Sequence, residues 1–192
     1  MGVPKIDTGP MTVEEFYAFT DARPDEEKWE LIEGEPVLNA SPSPFHQIIA
    51  GNVAFALGLR ERQQSLPWRA IPGIGVLASE TNRPEPDVMV VPRDLIQANP
   101  FSRDTKDALV LFEVMSPSTS TRDLKWKRAV YTAMPALAQY IVIAQDAIEV
   151  VDFARNNNFV ERRLRSINSV LELPSLFVTL PLSEIYRDTS LA

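Results

Sequence analysis

The stretch "ALVLFEVM" (108–115) is apolar on both of its faces, yet it carries a carboxylate in its middle. Strand alternation puts Leu109, Leu111, Glu113 and Met115 on one side and Val110, Phe112 and Val114 on the other. A strand of this kind is expected at the centre of its sheet, covered on both sides. An ionised Glu113 there needs a cation, a hydrogen-bond network or a metal, because an unpaired buried charge is very costly.

Asp87 raises the same problem. It follows Pro86 and opens the apolar run "DVMVV", 113 − 87 = 26 residues before Glu113. That leaves room for a loop or short helix between two neighbouring strands. A helix over 121–133 follows the Glu113 strand. At about 100° per residue, Leu124, Trp126, Val130, Tyr131, Ala133 and Met134 share an apolar arc, and Lys125, Arg128 and Thr132 lie opposite. Lys127 falls inside the apolar arc, so it is directed at the core and needs an anion. Glu113 and Asp87 are the suppliers. Two outcomes remain open on the spacing alone: a buried salt bridge that helps hold the fold, or a hydrolytic site. In the second, two carboxylates bind a hard cation, and the ammonium orients or deprotonates water or stabilises charge on a phosphodiester.

The rest of the chain reads as helices laid against a mixed sheet. Thr12 and Glu15 form a capping-box pattern at the start of a helix. "WELIEGEPVLN" (29–39) reads as two strands turning near Gly34, with Glu33 and Glu35 as surface charges. "SPSPFHQ" (41–47) leads into a helix over about 45–64, with Ile48, Ile49, Val53, Leu57 and Leu59 on its apolar side. Extended segments are expected over 68–79, broken at Pro72-Gly73, and over 84–92, 138–144 and 147–154, followed by a turn at "RNNN" and a hairpin partner in "FVERRLR". The tail, 170–187, holds short apolar pieces broken by Pro174 and Pro181. The 192 residues show no internal repeat and no linker, so a single α/β (α+β) domain is expected over 1–192.

Composition removes several chemistries. With no cysteine and one histidine, thiolate nucleophiles, disulfides and the usual zinc sets are excluded. A cysteine-free chain fits a cytoplasmic location. No apolar run approaches the roughly 20 residues needed to span a bilayer, so no membrane partner is expected. A net charge of −7 argues against non-specific coating of nucleic acid, but not against one local contact. The cluster Arg162, Arg163 and Arg165 reads as solvated surface. His46 sits at a helix N-terminus, which favours anions, and it reads as a capping or core residue or as a contact to phosphate. Gln47 beside it, and Arg122 at the start of the later helix, are accessory candidates for substrate contact.

Taken in order, "MTVEEF", "WELIEGE", "SPSPFHQ", "PEPDVMVV", "FEVMSPSTSTRDLKWKRAVY" and "QYIVI" resemble the Uma-type restriction endonuclease family, a branch of the PD-(D/E)XK nuclease superfamily. The resemblance covers roughly residues 11–153, and "EVMSPST" followed by "RDLKWKRAVY" is its most specific part. It implies a restriction-endonuclease-like core, a mixed central sheet flanked by helices, and DNA cleavage dependent on Mg2+ or Mn2+. By position, Asp87 and Glu113 match the superfamily's two acidic metal ligands, with the Val114 carbonyl as a third. The superfamily's lysine would fall at Met115; Lys127 matches a lysine displaced onto the following helix. Glu30 matches an accessory acid. Gln139 and Gln145 depart from the family pattern at positions that tune loop packing or dimer contacts rather than chemistry. A homodimer is expected by analogy, since two sites cut both strands. The alternative is a nuclease fold that has lost turnover and serves as a binding or assembly module.

Overall fold

The computed structural model describes residues 9–115 and 121–192, with the backbone alone at 121–123. Its centre is a six-stranded mixed sheet in the order β10-β9-β8-β7-β5-β3. These strands span Glu161–Leu164, Val150–Ala154, Gln139–Ala144, Val110–Met115, Val88–Pro92 and Trp68–Pro72 respectively. Only β7 and β8 run parallel; the other neighbours are antiparallel. Parallel neighbours need a crossover, and helix α4 (Thr121–Thr132) supplies it.

The alternation expected of β7 sorts its side chains between two cores. Val110, Phe112 and Val114 join Val88, Val90, Ile141 and Ile143 under helix α2 (Pro44–Gln64). Leu111 joins Met89, Val91, Tyr140 and Val142 under α4, with Tyr131 and Met134. The tail completes the first core. Strands β11 (Val170–Leu173) and β12 (Val178–Pro181) and helix α5 (Leu182–Ile185) deliver Leu171, Leu176, Leu180, Ile185 and Tyr186 to it. Trp68 Nε1 donates to the Leu176 carbonyl at 3.1 Å, so the tail's short apolar pieces are structural cover rather than a loose end.

Helix α1 (Val13–Asp21) carries the expected capping box. Thr12 N donates to Glu15 Oε2 at 2.8 Å, and Glu15 N donates to Thr12 Oγ1 at 3.3 Å. Strands β1 (Trp29–Ile32) and β2 (Glu35–Leu38) form the expected hairpin. Its turn residues Glu33 and Gly34 both have positive φ, 51° and 79°, as the tight hairpin turn matching strand twist requires. A side chain at Gly34 would collide with Pro10, so only glycine fits there. The interval between β5 and β7, with room for a loop or short helix, holds α3 (Arg93–Ala98), none of whose residues is fully buried. The 68–79 segment breaks after Pro72, where the break is expected, and β4 (Gly75–Val76) leaves the main sheet to pair in parallel with β6 (Asp104–Thr105). On α2, Leu59 is 43% exposed rather than on the apolar side, while Ala50 and Ala56 are buried.

Candidate active site

Antiparallel pairing of β5 with β7 sets Val88 opposite Phe112. The next step along the ladder brings Asp87, just before β5, level with Glu113. The Val114 amide donates to Asp87 Oδ2 at 2.6 Å, holding that carboxylate against the end of β7. Glu113 is buried on the α4 side of the sheet. Lys127, one turn before Tyr131 on α4, reaches it there. Its Nζ lies 3.1 Å from Glu113 Oε1, 3.2 Å from Oε2 and 3.1 Å from Glu30 Oε1. Lys125, two residues earlier, is exposed, as the helical projection requires.

Glu30 arrives from β1, far away in sequence. It also accepts from the Glu85 amide at 2.7 Å, which ties the hairpin to the segment leading into Asp87. Tyr131 donates its hydroxyl to Glu113 Oε1 at 2.9 Å and is fully buried. From the sequence Tyr131 reads as a core residue or a stacking surface for a base, not as a partner of Glu113. The overlooked signal was its spacing: i, i+4 from Lys127 puts both side chains on one face of α4.

His46 stands in the first turn of α2, where Ser43 Oγ caps its amide at 3.2 Å. Its Nε2 is 3.4 Å from Asp87 Oδ2, and its buried Nδ1 has no hydrogen-bond partner among the described residues. Gln47, in the same turn, is exposed. Arg122 belongs to α4, but its side chain lies outside the described residues, as do Ser116 and Ser118.

The electrostatics follow from this crowding. Burial pushes the Glu113 carboxyl up to about 7; Lys127 pulls it down, while Asp87 and Glu30 push it further up. Tyr131 is raised well above the usual tyrosine value by burial and by the Glu113 and Glu30 charges, so it remains a donor. For His46, burial favours the neutral ring, but the Asp87 contact, the Glu113 charge and the Val114 backbone together outweigh it and leave the value raised. Three carboxylates, Glu30, Asp87 and Glu113, thus meet Lys127 and one histidine in a corner sheltered from water.

A family model described as "Putative restriction endonuclease", Uma2, matches residues 13–185. The chain belongs to this family. The match runs through the C-terminal tail, well beyond the span legible from motifs, in keeping with the tail's place in the core. A solved structure described as "a putative nuclease belonging to DUF820 from Anabaena variabilis ATCC 29413" superposes on this Uma2 chain with a TM-score of 0.75. The two share 16% identity over 92% of this chain and 98% of the other, so the likeness is one of fold. No curated protein matches the chain.

Among the described residues, no three His, Asp or Glu side chains are arranged to enclose a metal ion unaided. The donors that are present are oxygens: the Asp87 and Glu113 carboxylates and the strand backbone between them. Mg2+ takes few protein carboxylates and keeps several waters, so this set fits it. The fit is also electrostatic: burial, above all, raises the Glu113 carboxyl, with Asp87 and Glu30 adding to it, and a hard divalent cation beside it would favour the charged form. Gln139, the other departure from the family pattern, is spent on structure: its Nε2 donates to Asp152 Oδ1 at 3.1 Å and to the Glu172 carbonyl at 3.0 Å. The basic cluster is likewise neutralised, with Arg162 on Asp152 and Arg163 and Arg165 on Glu149. Among the described residues no helix is long and apolar enough to cross a membrane.

Proposed function

We propose that this chain, working as a single domain, is a divalent-metal-dependent nuclease that hydrolyses DNA phosphodiesters, with Asp87, Glu113 and Lys127 as its working groups. The supporting observation is the buried Lys127 ammonium, held between Glu113 and Glu30 at the strand end where Asp87 is anchored. A bound Mg2+ or Mn2+ would supply Lewis acidity and a readily ionised water. Asp87, Glu113 and the Val114 carbonyl would hold it.

The protein's own groups do the rest. Lys127 presents a fixed positive charge to the attacking water or to the phosphoryl oxygens as a P–O bond to water forms and the ester P–O bond breaks. Glu30 aims Lys127 at the site through their 3.1 Å contact. Tyr131 fixes one oxygen of Glu113, and His46 braces Asp87 from α2. Met115, at the superfamily's usual lysine position, is replaced in this role by a side chain from the next helix.

The reading goes with a cytoplasmic location and a homodimer, because two sites are needed to cut both strands. The outward face of α2 suits a second copy: Phe55 is 72% exposed there, and a two-fold pairing centred on it sets Gly51 of one protomer against Leu59 of its partner.

The same ion pairs are also what an inactive nuclease fold would keep as a structural salt bridge. Calorimetric titration with Mn2+ and plasmid cleavage separate the two readings. Mn2+ binding and cleavage in the parent, both lost in Glu113→Gln and Asp87→Asn, support the nuclease. A parent that binds no divalent ion is a binding or assembly module.

A further inference from the structure

Beside the candidate site, at the carboxyl ends of the parallel strands β7 and β8, lies a mainly apolar cavity of about 450 Å3 lined by Pro44, Phe45, Leu191, Ser43, Gln145 and Asp146 among others. In sheets with parallel strands, ligands collect outside the carboxyl ends of those strands. The cavity is joined to the site by short connections. Phe45 immediately precedes His46, whose ring contacts Asp87. Gln145 follows the end of β8, and its amide donates to the Met115 carbonyl at 3.1 Å, two residues past Glu113. Ser43, the cap of α2, donates its hydroxyl to Gln145 Oε1 at 2.6 Å, so one hydrogen bond locks the mouth of α2 to the end of β8.

The chemistry of the walls is unusual for a surface that meets DNA. Among the described residues, no lysine or arginine lines the cavity to meet a phosphate. Phe45 offers a partly exposed aromatic face, with proline and leucine beside it. Gln145 has spent its carbonyl on Ser43 and keeps an amide NH2 to donate; Asp146 is an exposed acceptor. An apolar slot with a stacking ring and a few donors and acceptors at its rim suits a nucleobase.

We infer that this cavity receives one base of the DNA substrate, taken out of its stack and laid on Phe45, beside the phosphodiester presented to Asp87 and Glu113. The inference rests on the nuclease reading and sharpens it. A base reaches the cavity only when unstacked, so single-stranded or unpaired positions bind better than the same sequence in a perfect duplex, which must first give up pairing and stacking.

The test is a fluorescence titration of the full chain, in Ca2+, with a short oligonucleotide carrying one 2-aminopurine. The probe is used as a single strand and as a perfect duplex. The parent is expected to bind the single strand more tightly and to change the 2-aminopurine emission. Phe45→Ala is expected to lose that change and about ten-fold or more in affinity, the usual scale of a lost base stack, while Phe45→Trp restores both. Thermal melting of both variants confirms folding. If Phe45→Ala binds the single strand as the parent does, with the same emission, the cavity proposal is overturned. Mn2+-dependent cleavage lost in Glu113→Gln would then still uphold the nuclease. If the parent neither binds nor cuts DNA in any form, both fall.

Discussion

Replacing Lys127 by methionine keeps the length of the side chain and deletes its charge, so it isolates the ion pair on which the site is built. In the folded chain the ammonium makes contacts of 3.1, 3.1 and 3.2 Å to Glu30 and Glu113, with its side chain only 10% exposed. Breaking a buried pair by removing one partner costs about 3–5 kcal/mol, because the other charge is left in a poor solvent. For a domain of this size, each kcal/mol shifts Tm by about 2–4 °C, so a fall of roughly 6–20 °C is expected. Lys127→Met and Glu113→Gln are compared singly and together, by urea denaturation in the presence of a chelator. The double variant removes both charges, and is expected to be more stable than the two single losses sum to, by more than about 0.5 kcal/mol, the spread seen for independent sites. Additive losses within that spread would refute the claim that Lys127 is coupled to Glu113. Catalysis responds separately: Lys127→Met is expected to keep Mn2+ binding and to lose cleavage.

Tyr131→Phe removes only the hydroxyl that donates to Glu113. A hydrogen bond to a charged group contributes about 1.5–3 kcal/mol, so denaturation is expected to show a loss of that order, and unchanged stability would remove Tyr131 from the site. Glu113, raised to about 7 when folded, sets a pH dependence in the chelated protein. Its contribution is fully present below the ordinary carboxylate range and is lost as pH rises through about 7; the decline is expected to flatten in Glu113→Gln, which pH-dependent melting reads directly. Thr12→Ala deletes the capping box of α1 and is expected to cost about 1 kcal/mol, as measured by chemical denaturation. Phe55→Glu places a charge at the centre of the proposed dimer face and is expected to shift light-scattering mass from dimer to monomer without altering the melting of the protomer.

How much of this was legible beforehand depends on the distance over which each feature is encoded. The buried strand, its inward Glu113 and the inward phase of Lys127 were readable, because strand and helix periods are local geometry. The tail was not. Its pieces are too short and too broken by proline to show a period, and they gain their role only by lying over α2 and the sheet. Helix α3 could be read only as a loop or short helix, because six residues with no fully buried side chain are too few to show a period. Glu30 entered only through resemblance, since nothing near "WELIEGE" says that its side chain meets Lys127, 97 residues away.

By itself, then, the order of residues determined which side chains must avoid water and which polar groups are trapped among them; β7 and α4 turn Glu113 and Lys127 inward, with Asp87 as the other anion on offer. Only the packed chain decided the remaining neighbours: His46 on Asp87, Tyr131 on Glu113, the Glu85 amide on Glu30, and Ser43 on Gln145 at the mouth of the cavity. Periodicity states a direction along one element. Contact between elements depends on register and on how two cores fill on either side of one sheet, and those are set by the whole chain at once.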